Sequence, residues 1–260
     1  MACASMLLAG IAYASGPDPA PPAFDARVAL QASQDAIGRS LPLDLAFTDQ
    51  DGRRRTLGEF RGKPLIISPV YTSCFGVCPT TTTYLRQVVD MSRAVLGPDS
   101  FAVLTIGFDA VNDTPGRMRE FASARGVHTS GWVFGAADAG TIRLLLDRVG
   151  FTYVPSPRGF DHMVQATVVD GSGTVYRQVY GQDFQPQLLV DPLKRLALGQ
   201  AAREDTLAAM IEGVRLFCTV YDPASGRYRF DWSIALSFAI GVMCFAAVAT
   251  FLWRSWRQSS

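Results

Sequence analysis

Along the middle of the chain, continuous apolar runs alternate with stretches in which apolar residues recur every three or four positions. Pro64 to Val70 and Phe101 to Phe108 are nearly unbroken and rich in β-branched side chains, the pattern of strands buried on both faces of a sheet. Between them Tyr84, Val88, Met91 and Val95 share one helical face, so a helix is predicted from Pro79, a residue suited to a first turn, to about Leu96. A second helix is predicted from Pro115 through Arg125, a short strand over Trp132 to Gly135, and a third helix over Thr141 to Val149 with Ile142, Leu145, Leu146 and Val149 on one face. Val164 to Val169 and Val175 to Tyr180 read as strands joined by the turn Asp170-Gly171-Ser172-Gly173, after a loop spanning Phe151 to Met163. Upstream, Leu43, Leu45 and Phe47 alternate with polar residues over Leu41 to Phe47, and Asp49-Gln50-Asp51-Gly52 is turn chemistry, so the domain opens on a hairpin-like element. Thr56 to Phe60 then reads as a short helical turn, and helices over Gln185 to Leu198 and Arg203 to Phe217 close the soluble part. Strands alternating with helices and ending in a hairpin predict an α/β fold with a mixed sheet flanked by helices.

The two ends of the chain differ from this middle. Ser233 to Trp253 is 21 residues without a charge, long enough at about 1.5 Å per residue to cross a hydrocarbon core of about 30 Å. Trp232 and Trp253 stand at its ends and Arg254 and Arg257 follow, so the pattern predicts a C-terminal transmembrane helix with the tail 254–260 in the cytoplasm and the rest of the chain on the opposite side. Met6 to Ala14 is apolar, and Ala12-Tyr13-Ala14 has the small-x-small form of a signal-peptidase site, although no basic residue precedes it. The organisation expected is a signal peptide over 1–14, a proline-bearing linker and N-terminal extension over 15–40, a domain over 41–217, a juxtamembrane segment over 218–232, the span 233–253 and the tail. A cleaved signal ahead of an exported domain favours a bacterial inner membrane, crossed once, with the domain in the periplasm. The net charge of +1 gives no reason to expect a nucleic-acid partner.

Five cysteines and two histidines carry the candidate chemistry. Cys3 falls in the predicted signal and Cys244 in the predicted span, which leaves Cys74, Cys78 and Cys218 on the exported side. That odd number argues against a framework of structural disulfides. Cys74 and Cys78 lie in Tyr71-Thr72-Ser73-Cys74-Phe75-Gly76-Val77-Cys78-Pro79, between a predicted strand and a predicted helix N-terminus. There the helix dipole and free backbone N–H groups favour thiolates, and both thiols are expected to be accessible and acidified. Their spacing suits either a redox pair or two thiolates on one metal ion. His128 sits in a predicted surface turn, whereas His162 opens the strand Val164 to Val169, with Asp161 placed to orient its ring. Cys218 reads first as a free thiol near the bilayer, with an intermolecular disulfide or an accessory metal contact as alternatives.

Three motifs in order carry a family resemblance: Tyr71-Thr72-x-Cys74-x-x-x-Cys78-Pro79, the Asp109-x-x-x-Asp113-Thr114-Pro115 loop after the next strand, and Asp161-His162 before the last strands. Over Leu41 to Leu198 the chain resembles the SCO/SenC family. The resemblance implies a thioredoxin-like fold with a β-hairpin insertion, membrane anchoring, and delivery of copper, as Cu(I) or Cu(II), for the dinuclear copper centre of cytochrome c oxidase subunit II. It makes Cys74, Cys78 and His162 the copper ligands, with Asp109 and Asp113 as support, and it leaves room for other copper chaperones or a thiol reductant as partners. Here Phe75 and Gly76 stand where the family usually has proline and often an acidic residue, Met163 stands where a small hydroxyl residue is common, and the anchor is C-terminal.

Two thiolates and one imidazole suit Cu(I), and a site of three strong ligands keeps a face open for exchange, whereas structural zinc would want a fourth donor. A Cys74–Cys78 disulfide would switch loading off. A rival reading is a thiol-disulfide oxidoreductase that reduces the cysteines of the oxidase copper site. A third is a copper or redox sensor that transfers nothing.

Overall fold

In the computed structural model the chain is described over residues 23–74, 76–201, 219–222 and 227–230, and at 236, 237, 240–246, 248, 250 and 254. Inside its seven-stranded main sheet, hydrogen-bonded on both sides, lies β3 (Leu65–Val70), all six residues of which are buried. It follows α1 (Ala26–Gln34), β1 (Ala46–Asp49), β2 (Arg54–Thr56) and a 3-10 turn at Leu57–Phe60. After it come α2 (Val77–Leu96), β4 (Ala102–Gly107), α3 (Pro115–Ala124), β5 (Trp132–Ala136) and α4 (Ala139–Val149). Then follow β6 (Tyr153–Ser156), β7 (Gly159–His162), β8 (Gln165–Val169), β9 (Val175–Tyr180) and α5 (Gln187–Ala201), with β10 (Thr219–Asp222) and β11 (Arg227–Phe230) beyond.

The main sheet has the order β2-β1-β5-β4-β3-β8-β9. β3, β4 and β5 are parallel neighbours, and β8, β9, β1 and β2 join antiparallel, so the sheet is mixed as the patterning predicts. β4 and β5 are as completely buried as β3, which is why their sequences show no alternation. One continuous apolar core packs around these strands, from Phe47 and Leu57 at one side to Val179, Leu189 and Leu193 at the other.

Several elements differ from expectation. The first strand is Ala46–Asp49 rather than 41–47, because Leu41 and Leu45 reach the core from turns, with Leu45 N–H bonded to Pro42 O. The region expected as linker and extension holds α1, capped by the Asp25 side chain on the N–H groups of Arg27 and Val28. The stretch expected as a loop from Phe151 to Met163 is a β6–β7 hairpin that forms a two-stranded sheet of its own. His162 therefore ends β7 instead of opening the strand after it.

The buried face of α2 runs through Leu85, Val88, Val89, Ser92 and Leu96, so Tyr84 and Val95 flank it. β10 pairs with β11 within the predicted juxtamembrane segment. The predicted helix 203–217, Cys218, the predicted signal 1–14 and Phe75 lie outside the described residues. Among the described residues no helix is long and apolar enough to cross a membrane, and the described positions between 236 and 254 are helical and exposed.

Candidate metal and redox site

β3 delivers Tyr71, and a tight turn, closed by Cys74 N–H on Tyr71 O at 3.2 Å, delivers Cys74. Helix α2 begins at Val77, so Cys78 already lies in its first turn and is buried, while Cys74 is half-buried ahead of it. The helix has no capping side chain at Gly76. In its place the sulfur of Cys74 accepts the N–H of Cys78 at 3.4 Å, taking the part an N-cap oxygen usually plays.

This geometry makes the two thiols unlike. Burial pushes Cys74 up, but the N–H groups of Cys78 and Gly76, the Cys78 thiol and the Tyr71 hydroxyl outweigh it and hold the thiol below its ordinary value. Burial dominates at Cys78, whose thiol is pushed up to about 12 with help from the charges of Cys74 and Asp113. The expectation of two accessible, acidified thiols is thus met by Cys74 and corrected for Cys78. Its sulfur faces inward because the first turn of α2 packs on the core. Both are free cysteines.

The Asp109–Asp113 loop supports the dithiol from below. Asp113, buried, accepts Thr72 N–H at 2.8 Å and the Thr72 hydroxyl at 2.7 Å on one oxygen, and Asp109 N–H at 2.9 Å on the other. Burial nonetheless raises its carboxyl above the usual range, against these bonds. Gly107 is required beside it, since a Cβ there would stand 2.5 Å from the Cβ of Asp113. On the other side, Arg125 lies with its guanidinium carbon 3.5 Å from the Phe121 ring centroid and donates to Phe121 O at 2.9 Å. Burial lowers its pKa, yet its charge reaches both cysteines, a cation that spacing alone did not reveal.

His162 is in the neighbourhood, but its ring is turned toward an aromatic cluster. The centroid lies 5.4 Å from Phe151, 5.5 Å from Phe108 and 5.9 Å from Tyr71. Nδ1 faces Met163 O at 3.1 Å, so Asp161 does not orient the ring as expected; it acts only through its charge. A carbonyl can only accept, which places the proton on Nδ1 and leaves the Nε2 lone pair free. Burial lowers the pKa of His162, so the neutral ring prevails. Among the described residues no group of three or more His, Cys, Asp and Glu side chains is gathered tightly enough to hold a metal ion. The structure brings Cys74 and Cys78 together and holds His162 one aromatic ring away. His128 is exposed, and Met163 lines an open depression of about 580 Å³ with Thr80, Tyr84, Val164 and Asp183.

A mixed sheet with a parallel centre, followed by a dithiol at the start of a helix, defines a thioredoxin-like protein. The sequence profile of SCO1/SenC matches residues 38–198, more than half of the chain, and the chain belongs to that family. A protein of Aquifex aeolicus VF5 is 26% identical, with a TM-score of 0.57 over 66% of this chain and 98% of its own. Arabidopsis thaliana ScoI, solved with copper bound, is 16% identical, with a TM-score of 0.51 over 65% of this chain and 99% of its own. BsSco, described with a disulfide switch and as a member of the Sco family of cytochrome c oxidase assembly proteins, is 18% identical, with a TM-score of 0.53 over 61% of this chain and 94% of its own. No curated protein sequence matches the chain.

Proposed function

We propose that the chain is a membrane-anchored copper metallochaperone. It takes up copper on Cys74, Cys78 and His162 and passes it to subunit II of cytochrome c oxidase for the dinuclear copper centre. The observation that carries the reading is the pairing of one acidified thiol, Cys74, with a neutral imidazole whose Nε2 lone pair is free, joined through a single aromatic side chain. Two sulfurs and one imidazole nitrogen form a soft set that fits copper and leaves a coordination position open for exchange. His162 rides on a hairpin that pairs with no strand of the main sheet, so its approach to the sulfurs costs no sheet hydrogen bonds. The family and the copper-bound relative support the same assignment. Asp109 and Asp113 act as support, and Met163, next to the imidazole, offers a further soft contact.

The anchor in this reading is the helix 233–253, whose described apolar side chains, such as Leu236, Met243 and Phe245, are exposed to whatever surrounds them. The chain would cross a bacterial inner membrane once, with its domain in the periplasm.

The unequal thiols favour a second reading, a thiol-disulfide oxidoreductase that reduces the cysteines of the oxidase copper site. In it the acidified Cys74 attacks the target disulfide. Cys78 then displaces the reduced target, leaving a Cys74–Cys78 disulfide, with two electrons passed on.

Anaerobic titration of the reduced protein with Cu(I), alongside Cys74→Ser, Cys78→Ser and His162→Ala, separates the two. One copper per chain, lost in all three variants, supports the chaperone. Undiminished binding in His162→Ala together with intact dithiol exchange supports the oxidoreductase.

A further inference from the structure

Among the described residues, Tyr71 lies against both halves of the site. Its ring meets His162 edge to face at 5.9 Å and Phe160, on the same hairpin, at 5.3 Å, both nearly perpendicular. Its hydroxyl stands near enough to the Cys74 sulfur and to the backbone of Phe160 for both to act on it. The hairpin closes on the ring at Gly159, where φ is +117° and an added Cβ would stand 3.0 Å from both the ring edge and the hydroxyl oxygen of Tyr71. From below, Phe108 holds the same ring at 5.3 Å. Tyr71 is buried, so this arrangement is fixed by packing as well as by the hydroxyl.

We propose that Tyr71 is a positioning residue that latches the β6–β7 hairpin to the dithiol loop with the imidazole held off the sulfurs. The inference rests on the copper reading above and deepens it. In the latched arrangement the Tyr71 ring occupies the approach of His162 to Cys74. Capture of copper as a third-ligand complex therefore requires the ring to turn, which withdraws the hydroxyl from the Cys74 sulfur. Release is assisted when the hydroxyl comes back to the sulfur and the imidazole returns to its aromatic socket. The latch weakens copper retention by design, since anything that stabilises the metal-free arrangement lowers the apparent affinity of the arrangement that binds.

Phenylalanine at this position keeps the ring and its packing and removes only the hydroxyl, so Tyr71→Phe is the informative variant. Cu(I) affinity of the reduced, detergent-solubilised full chain is measured by competition with bicinchoninate, for the wild type, Tyr71→Phe, His162→Ala and the double variant. The expected result is a gain in affinity of about tenfold in Tyr71→Phe, the weight of one net hydrogen bond to a thiolate, with copper transfer to excess chelator slowed by a similar factor. In the His162→Ala background the same substitution should change affinity by less than about twofold, because the latch acts through the imidazole. Affinity in Tyr71→Phe equal to or below that of the wild type, while His162→Ala still loses copper, overturns the latch and leaves the copper reading standing. An equal gain with and without His162 also overturns the latch and makes Tyr71 a competitor for the sulfur alone. Wild-type copper binding in His162→Ala overturns both readings at once.

Discussion

The N–H of Cys78 points at the sulfur of Cys74, 3.4 Å away, so the two cysteines are related as cap and first turn of a helix. One sulfur is acidified by the other residue's backbone, and the pair is chemically polarised before any metal or disulfide forms.

Alkylation should reveal that polarity. Iodoacetamide at neutral pH is expected to label Cys74 first, by at least about tenfold over Cys78, since the thiolate is the nucleophile and Cys78 is both buried and pushed up to about 12. Peptide mass mapping over a time course reads the order. Equal labelling, or Cys78 first, would remove the basis for assigning Cys74 as the attacking sulfur.

Asp113 should matter to the loop's stability as well as to its shape. Removing the carboxyl in Asp113→Ala strands the N–H and hydroxyl of Thr72 and the N–H of Asp109, a loss of about 3 kcal/mol in denaturant unfolding. Because the folded pKa lies above the unfolded one, the folded state binds the proton more tightly. The stability that this confers is full below the ordinary aspartate value of about 3.9 and is lost as pH rises through the folded pKa. The stability of the wild type relative to Asp113→Asn is therefore expected to fall as pH rises from about 4, and a flat difference would contradict the raised pKa.

His162 has the opposite sign. Its folded pKa is depressed, so the neutral ring is the form the fold accepts. The stabilisation is present above the ordinary histidine value of about 6.5 and is lost as pH falls through the folded pKa. An imidazole proton titration by NMR should place His162 below the ordinary histidine value of about 6.5, and His162→Gln should flatten the acid limb of the stability profile. A His162 midpoint at or above that ordinary value would refute the buried placement.

Membrane attachment is testable directly. The full chain expressed in a Gram-negative host is expected to stay with the membrane fraction after an alkaline carbonate wash, and a chain ended at Asp231 to appear in the soluble fraction. Release of the full chain by that wash would reject the segment 233–253 as an anchor.

Most strands of the main sheet were legible because burial on both faces leaves continuous apolar runs. β9 was located residue for residue, and β3, β4, β5 and β8 to within a residue or two. The dithiol was legible from two cysteines between such a run and a helix. What the sequence obscured came from tertiary contacts. Exposed residues such as Tyr153, Pro155 and Asp161 alternate with half-buried ones in β6 and β7, too few and too polar to stand out as strands, so the hairpin that carries His162 read as a loop. Cys78 looked accessible because its burial depends on which way the first turn of α2 faces. The roles of Tyr71 and Arg125 depend on side chains distant in the chain, and no local pattern marks them.

The outer side of β9 has a backbone partner at one end, where Gly38 N–H donates to Val175 O and Val175 N–H to Arg39 O, and Ser40 bridges to Thr174. A buried amide relay braces that join: the Gln178 side chain donates to Ser33 O and Val149 O and accepts from Gln165 and Thr167. The segment before β1 therefore acts as a selvedge on the sheet. It discourages neighbouring copies from adding strands there.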